Sequence, residues 1–205
     1  MEALCRAHPD RNIDLRQGDA NGLIKEICRT TKWRGQGAPK RGIRAVLFLD
    51  PYGMNVEFET LKRNRDTRAI DVWYLFSLSG IYRQAARSKP KLTPAKREAI
   101  TGILGTAEWE EKFYADTGGS DLFGGAIQGC RTADVDAIEA YVRERLGTVF
   151  PKVTNPLRLH NAAKAPIFSL FFAMSNPDPS AIGLAMRGAN HILKAGISSQ
   201  VRPRN

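Results

Sequence analysis

Residues 48–53 read Phe-Leu-Asp-Pro-Tyr-Gly and place several hydrogen-bonding and stacking groups in one short turn. The Asp50 carboxylate and the Pro51 carbonyl are both acceptors for the N–H or O–H of an amine or hydroxyl. Tyr52 offers a flat ring on which a planar base could stack. Pro51 stiffens the turn, and Gly53 lets another backbone come close. The same four residues, Asp50 to Gly53, also suit a plain strand-to-helix turn with a capping aspartate. A second short stretch, Gln17-Gly18-Asp19-Ala20-Asn21, carries a carboxylate and an amide just before an apolar helical pattern. There Asp19 or Asn21 could cap the helix, or Asp19 could share a ligand edge with Asp50.

Other reactive residues are scattered. Cys5 and His8 have a ligand-like gap, but Cys28 and Cys130 supply no second pair, so no metal site is expected. His160 and His191 have no serine or cysteine elbow near them. The glycines between Gly118 and Gly129 do not follow a strand, and no Lys-Ser or Lys-Thr comes after them, so they form no P-loop. A lid or a plain flexible loop both fit them. Lys32-Trp33-Arg34, Lys40-Arg41 and the cluster Lys62, Arg63, Arg65 and Arg68 could meet phosphates, or form a solvated face.

The elements that must hold these residues follow from periodicity. Ala45 to Leu49 is a continuous apolar run of five, which predicts a strand buried on both faces, as in a parallel sheet covered by helices. Asp50 then falls at its carboxyl end, where open α/β sheets bind ligands. Ile13–Arg16 alternates apolar and charged residues and predicts a short strand. Helices are expected from Leu23 to Thr31, from Val56 to Asn64 with Asn55 as cap, and from Ser79 to Arg87. Thr93-Pro94 opens another, followed by Trp109–Tyr114, Thr132–Leu146 and Ser180–Lys194. Ala69–Leu78 predicts a second central strand, and Lys152–Leu159 with Pro166–Met174 a closing hairpin. Strand and helix alternate, so the expected class is α/β with a mainly parallel sheet.

The chain has 205 residues, 42% of them hydrophobic, with a net charge of +10. That bounds it to one domain with a sizeable core and excludes collagen-like, coiled-coil and long disordered chains. Three cysteines form no disulfide framework, and Met1–Arg11 lacks the apolar run of a secretory leader, so a cytoplasmic setting is expected. No apolar run is long enough for a membrane helix. The charge is one-sided: residues 1–105 hold 20 Lys/Arg against 11 Asp/Glu, which suggests a polyanion near that half or a basic solvated surface.

Three segments in order carry a resemblance: Gly18-Asp19-Ala20-Asn21 after a strand, Phe48-Leu49-Asp50-Pro51-Tyr52-Gly53, and Ile70-Asp71-Val72-Trp73-Tyr74-Leu75-Phe76. Together they resemble the later part of a methyltransferase-like Rossmann domain. Thr60-Leu61, the Asp71 strand running toward Arg83, Trp109–Tyr114, and the Pro166–Asn176 strand with its Asn190-His191 helix follow in an order similar to the three-Cys-motif partner (TcmP) family. The resemblance implies a single Rossmann-like (class I methyltransferase-like) domain over residues 1–205, incomplete at its N-terminus. It also implies a helical insertion near 88–130 and a C-terminal antiparallel hairpin. No Gly-rich loop after an apolar strand precedes residue 18, so the family's first segment has no counterpart here. The implied cofactor is S-adenosylmethionine, with Asp19 and the Ala20 backbone at its adenine. Asp50, Pro51 and Tyr52 would position an acceptor amine, such as that of a nucleic-acid base. The implied partner is a protein bearing a three-Cys motif, with nucleic acid as a further one. A non-catalytic partner-binding or nucleic-acid-binding role stays open beside the enzyme.

Overall fold

The computed structural model describes residues 2–34, 42–115 and 129–201. Along the chain run α1 (Glu2–Ala7), α2 (Ala20–Thr30), β1 (Ala45–Leu49), α3 (Phe58–Asp66), β2 (Ile70–Phe76) and α4 (Leu78–Gln84). A 3-10 turn (Lys89–Lys91), α5 (Pro94–Leu104), α6 (Trp109–Phe113) and the small strands β3 (Tyr114–Ala115) and β4 (Cys130–Arg131) follow. The chain continues with α7 (Val135–Gly147), β5 (Lys152–Val153), β6 (Leu157–His160), β7 (Pro166–Met174) and α8 (Pro179–Val201).

The main sheet has the order β1-β2-β7-β5, with β6 also on β7. β1 and β2 are parallel, from Ala45 opposite Ile70 to Leu49 opposite Tyr74. β7 runs antiparallel to β2, and β5 and β6 run antiparallel to β7. The class is therefore α/β, and the sheet is mixed. One parallel pair, where a mainly parallel sheet was expected, reflects β7: it lies between β2 and the strands that precede it in the chain. The expected closing hairpin is present, with β5 and β6 as two short pieces.

One face of the sheet is sealed. Leu49, Val72, Tyr74, Phe76, Phe171 and Ala173 alternate onto it and meet Phe58 and Leu61 of α3, Ile81 of α4, Ile100 of α5, Trp109 of α6 and Ile138 of α7. Local signals start these helices as the sequence predicts. Thr93 Oγ1 accepts from the Lys96 N–H with Pro94 in the first turn, and Asp134 accepts from the Ala137 N–H at 2.8 Å. Arg158 of β6 is clamped to α7 on this same face: its guanidinium donates to Glu139 and pairs with Asp136 at 2.7 Å. Ser169 donates its hydroxyl to the same Glu139 carboxylate.

The other face is covered in part. α8 lays Ala181, Ile182, Ala185, Met186 and Ala189 on Phe172 and Met174 of β7, with Trp73 of β2 at the margin. β1 lies beyond this helix. Its Val46 and Phe48 are 67% and 58% exposed. The expectation that β1 is buried on both faces is thus corrected: no helix among the described residues covers its second face. The expected strand Ile13–Arg16 is also absent, since residues 12–17 carry no regular structure. A strand needs a neighbour for its hydrogen bonds, and this stretch pairs with none; Arg16 instead bonds Asp14 locally at 2.9 Å. No helix among the described residues is long and apolar enough to cross a membrane.

Candidate functional site at the carboxyl ends of β1 and β2

β1 ends at Leu49, so Asp50 leaves the sheet at the carboxyl end of the parallel pair. Its side chain is exposed. Pro51 is half-buried, and Tyr52 is 96% exposed, its ring open to a stacking partner. Gly53 follows with φ of +79°, a conformation that penalises any residue with a Cβ. The loop is braced from within: Asn55 Nδ2 donates to the Tyr52 carbonyl at 2.9 Å. Asn55 is therefore a loop brace and not the cap of α3, which begins after Glu57.

The second stretch comes to the same end of the sheet through Asn21. Its amide is buried, with Nδ2 donating to the Asn55 carbonyl at 2.7 Å. Its Oδ1 accepts from the Glu57 N–H at 3.0 Å and from Thr60 Oγ1 at 2.8 Å. Lys25 of α2 adds an ion pair to Glu57. These bonds tie the start of α2 to the loop after β1, so Asp19, Ala20 and the Asp50 loop share one edge. Asp19 caps α2, its Oδ2 accepting from the Gly22 N–H at 2.7 Å. Its other oxygen makes no bond that the cap requires. The Ala20 N–H belongs to the first helical residue, where no intrahelical acceptor exists.

Ser77 completes the edge from β2. It is 8% exposed, sits just before α4, and makes no side-chain capping bond. A Cβ on Gly80 would lie 2.6 Å from Ser77 Oγ and 3.5 Å from Met54 Cγ. Gly80 thus lets the loop after β1 abut the first turn of α4. The sequence reasoning missed both Ser77 and the role of Asn21. Ser77 falls inside the predicted strand Ala69–Leu78, whereas β2 ends at Phe76 and leaves Ser77 before α4; Asn21 had no signal, because its partners lie far along the chain.

Beside α2 a cleft of about 540 Å³ is lined by Gly22, Lys25, Glu26, Cys28, Arg29, Arg63 and Asp66. Burial, and then the Asp66 charge, push the Cys28 thiol up from its ordinary value, so it holds its proton and is a poor nucleophile. The structure also reorganises the basic cluster. Trp33 is 3% exposed and donates its indole N–H to the Cys28 carbonyl, so it fills the core and is not a base-stacking residue. Lys62 and Arg63 pair with Glu59 at 3.4 and 3.3 Å, and Arg65 with Asp66 at 3.4 Å. Lys40 and Arg41 lie outside the described residues, as do the glycines Gly118 to Gly125. His160 and His191 are exposed and far apart in the chain, and among the described residues no serine or cysteine is bonded to either.

Comparison with protein-family models, with curated proteins and with solved structures finds no match to this chain.

Proposed function

We propose that this chain is a methyltransferase-like protein of the three-Cys-motif partner (TcmP) kind, using S-adenosylmethionine to methylate an amine of a nucleic-acid base. The observation that carries the reading is the Asp50–Gly53 loop: a free carboxylate, a free proline carbonyl and a bare aromatic ring at the carboxyl end of a parallel strand. The mixed sheet, with two parallel strands followed by an antiparallel closing strand, agrees with the Rossmann-like part that the resemblance implies.

The adenine end of the cofactor suits the residues present. The Asp19 oxygen not engaged in capping would accept from the exocyclic amine, and the unpaired Ala20 N–H would donate to a ring nitrogen. The cofactor supplies an electrophilic methyl group on a sulfonium. The chain's own task is positioning. The Asp50 carboxylate and Pro51 carbonyl accept the amine's hydrogens, which leaves its lone pair free to face the methyl carbon. Tyr52 stacks on the base and fixes its plane.

Calorimetric titration with S-adenosylmethionine tests the cofactor, and absence of heat overturns it. With binding established, Asp50→Ala abolishes methyl transfer to a base amine and leaves the unfolding transition in place; unchanged transfer overturns the role of Asp50. The bare surface of β1 favours a second reading, a partner-binding module without chemistry. Co-purification with a three-Cys-motif protein, in the absence of cofactor binding, is the result that would select it.

A further inference from the structure

Ser77 stands between the end of β2 and the start of α4, and its hydroxyl is uncommitted. The residue is 8% exposed, yet among the described residues no group hydrogen-bonds its Oγ. Thr93 and Asp134 hold the same position before α5 and α7, and each spends a side-chain oxygen on a helix N–H. Ser77 gives only its carbonyl, to the Ile81 N–H at 3.1 Å. A largely buried hydroxyl left unpaired costs free energy, so a partner from outside the chain would stabilise it. The oxygen can be reached. Among the described residues, the fully enclosed side-chain atoms without a partner are Asn64 Nδ2 and Tyr141 Oη, and Ser77 Oγ is not one of them. It also borders the candidate site. Leu49 pairs with Tyr74, so β1 leaves the sheet beside the last residues of β2. Met54, which follows Gly53, reaches the same spot: a Cβ on Gly80 would meet Ser77 Oγ at 2.6 Å and Met54 Cγ at 3.5 Å.

We propose that Ser77 donates its hydroxyl hydrogen to a ring nitrogen of the acceptor base, the one next to the amine that Asp50 and Pro51 hold. The inference rests on the acceptor geometry proposed above and adds the kind of base. The loop presents a carboxylate and a carbonyl, both acceptors, and Pro51 has no N–H. These suit the two hydrogens of an amine. The neighbouring atom on the base edge then needs a donor if it carries a lone pair, as the ring nitrogen beside the amine does in adenine and cytosine. Tyr52 does not supply that donor, because a ring stacked on the base holds its hydroxyl in a parallel plane, off the base edge. The side-chain donors of Lys25, Asn21 and Asn55 are engaged by Glu57, the Asn55 carbonyl and the Tyr52 carbonyl. The Thr60 hydroxyl is engaged by Asn21. Ser77 therefore selects a base whose amine sits beside a bare ring nitrogen.

Fluorescence anisotropy with labelled oligothymidines, without cofactor, tests it. One oligonucleotide carries a single adenine and its counterpart 1-deazaadenine, in which C–H replaces that ring nitrogen; a cytosine and 3-deazacytosine pair is titrated beside them. The unaltered chain binds the natural base of at least one pair about tenfold more tightly than its deaza form. Ser77→Ala binds both members of that pair alike, at the level of the unaltered chain with the deaza base. It keeps its urea midpoint, since the hydroxyl holds nothing within the protein. Absence of oligonucleotide binding, equal binding within both pairs, or a discrimination that survives Ser77→Ala each overturns the inference. Failure of the underlying reading shows separately. Methyl transfer without the discrimination refutes Ser77 and keeps the enzyme; discrimination without heat from S-adenosylmethionine keeps Ser77 and refutes the cofactor.

Discussion

Two phenylalanines on one sheet have opposite fates. Phe171 on β7 is fully buried, and Phe48 on β1 is 58% exposed. Both lie in apolar runs, and both alternate onto a face as strand residues must. The difference lies in what sits above them. Phe171 faces the helical layer built from α4 and α7, on the side that is covered from β1 to β7. Phe48 faces the side that, among the described residues, α8 covers, and α8 reaches β7 and only the margin of β2. Burial is thus a property of the layer and not of the residue type.

The comparison makes a quantitative claim. Phe171→Ala empties a packed site and costs about 3–5 kcal/mol in urea unfolding, whereas Phe48→Ala costs under about 0.5 kcal/mol. Similar losses at the two positions would break the contrast. A smaller effect concerns the stitching beneath the candidate site. Asn21→Ala leaves the Glu57 N–H and the Thr60 hydroxyl without their acceptor and costs about 2 kcal/mol. Asp19→Ala, losing one exposed cap, costs about 1 kcal/mol. Thermal unfolding of the two variants ranks them, and the reverse order would mean that α2 is held by its cap and not by the loop.

The smallest effect is electrostatic and lies beside the bare face. Burial raises the Asp71 carboxyl above its ordinary value of 3.8, against the opposing pull of the Ser175 N–H and of Arg44. A carboxyl raised in the folded state holds its proton there more tightly than in the unfolded chain. Its contribution is therefore favourable at low pH and is lost as pH rises from about 3.8 through the folded value. Asp71→Asn removes that decline while keeping an oxygen for the Ser175 N–H, which Asp71 now accepts at 3.2 Å. Urea midpoints at pH 4 and pH 7 check it: the variant gains relative to the parent at the higher pH.

Much of the local structure was legible. Pro166–Met174 forms a strand with the bounds predicted for the second half of the hairpin, and Thr93-Pro94 starts a helix as cap and first turn. Both depend on neighbours in sequence. Ile13–Arg16 has the alternation of a strand and is none, because alternation supplies two faces but no ladder partner. Trp33, set among arginines and lysines, reads as a surface aromatic; its place against Cys28, Ala69 and Ile70 depends on residues far along the chain.

At the candidate site the division is similar. The sequence by itself determined the turn at Asp50-Pro51-Tyr52-Gly53 and its place after a strand, since proline, glycine and an apolar run impose these locally. It also determined the helix that Asp19 caps. Tertiary structure alone decided that the two stretches meet, through the buried Asn21 amide and its partners Asn55, Glu57 and Thr60. It alone decided that, among the described residues, β1 is the last strand of its sheet and Val46 and Phe48 are exposed. Hydrogen bonds within a turn or a cap depend on the nearest residues. Strand order and the cover over each face depend on which distant elements arrive.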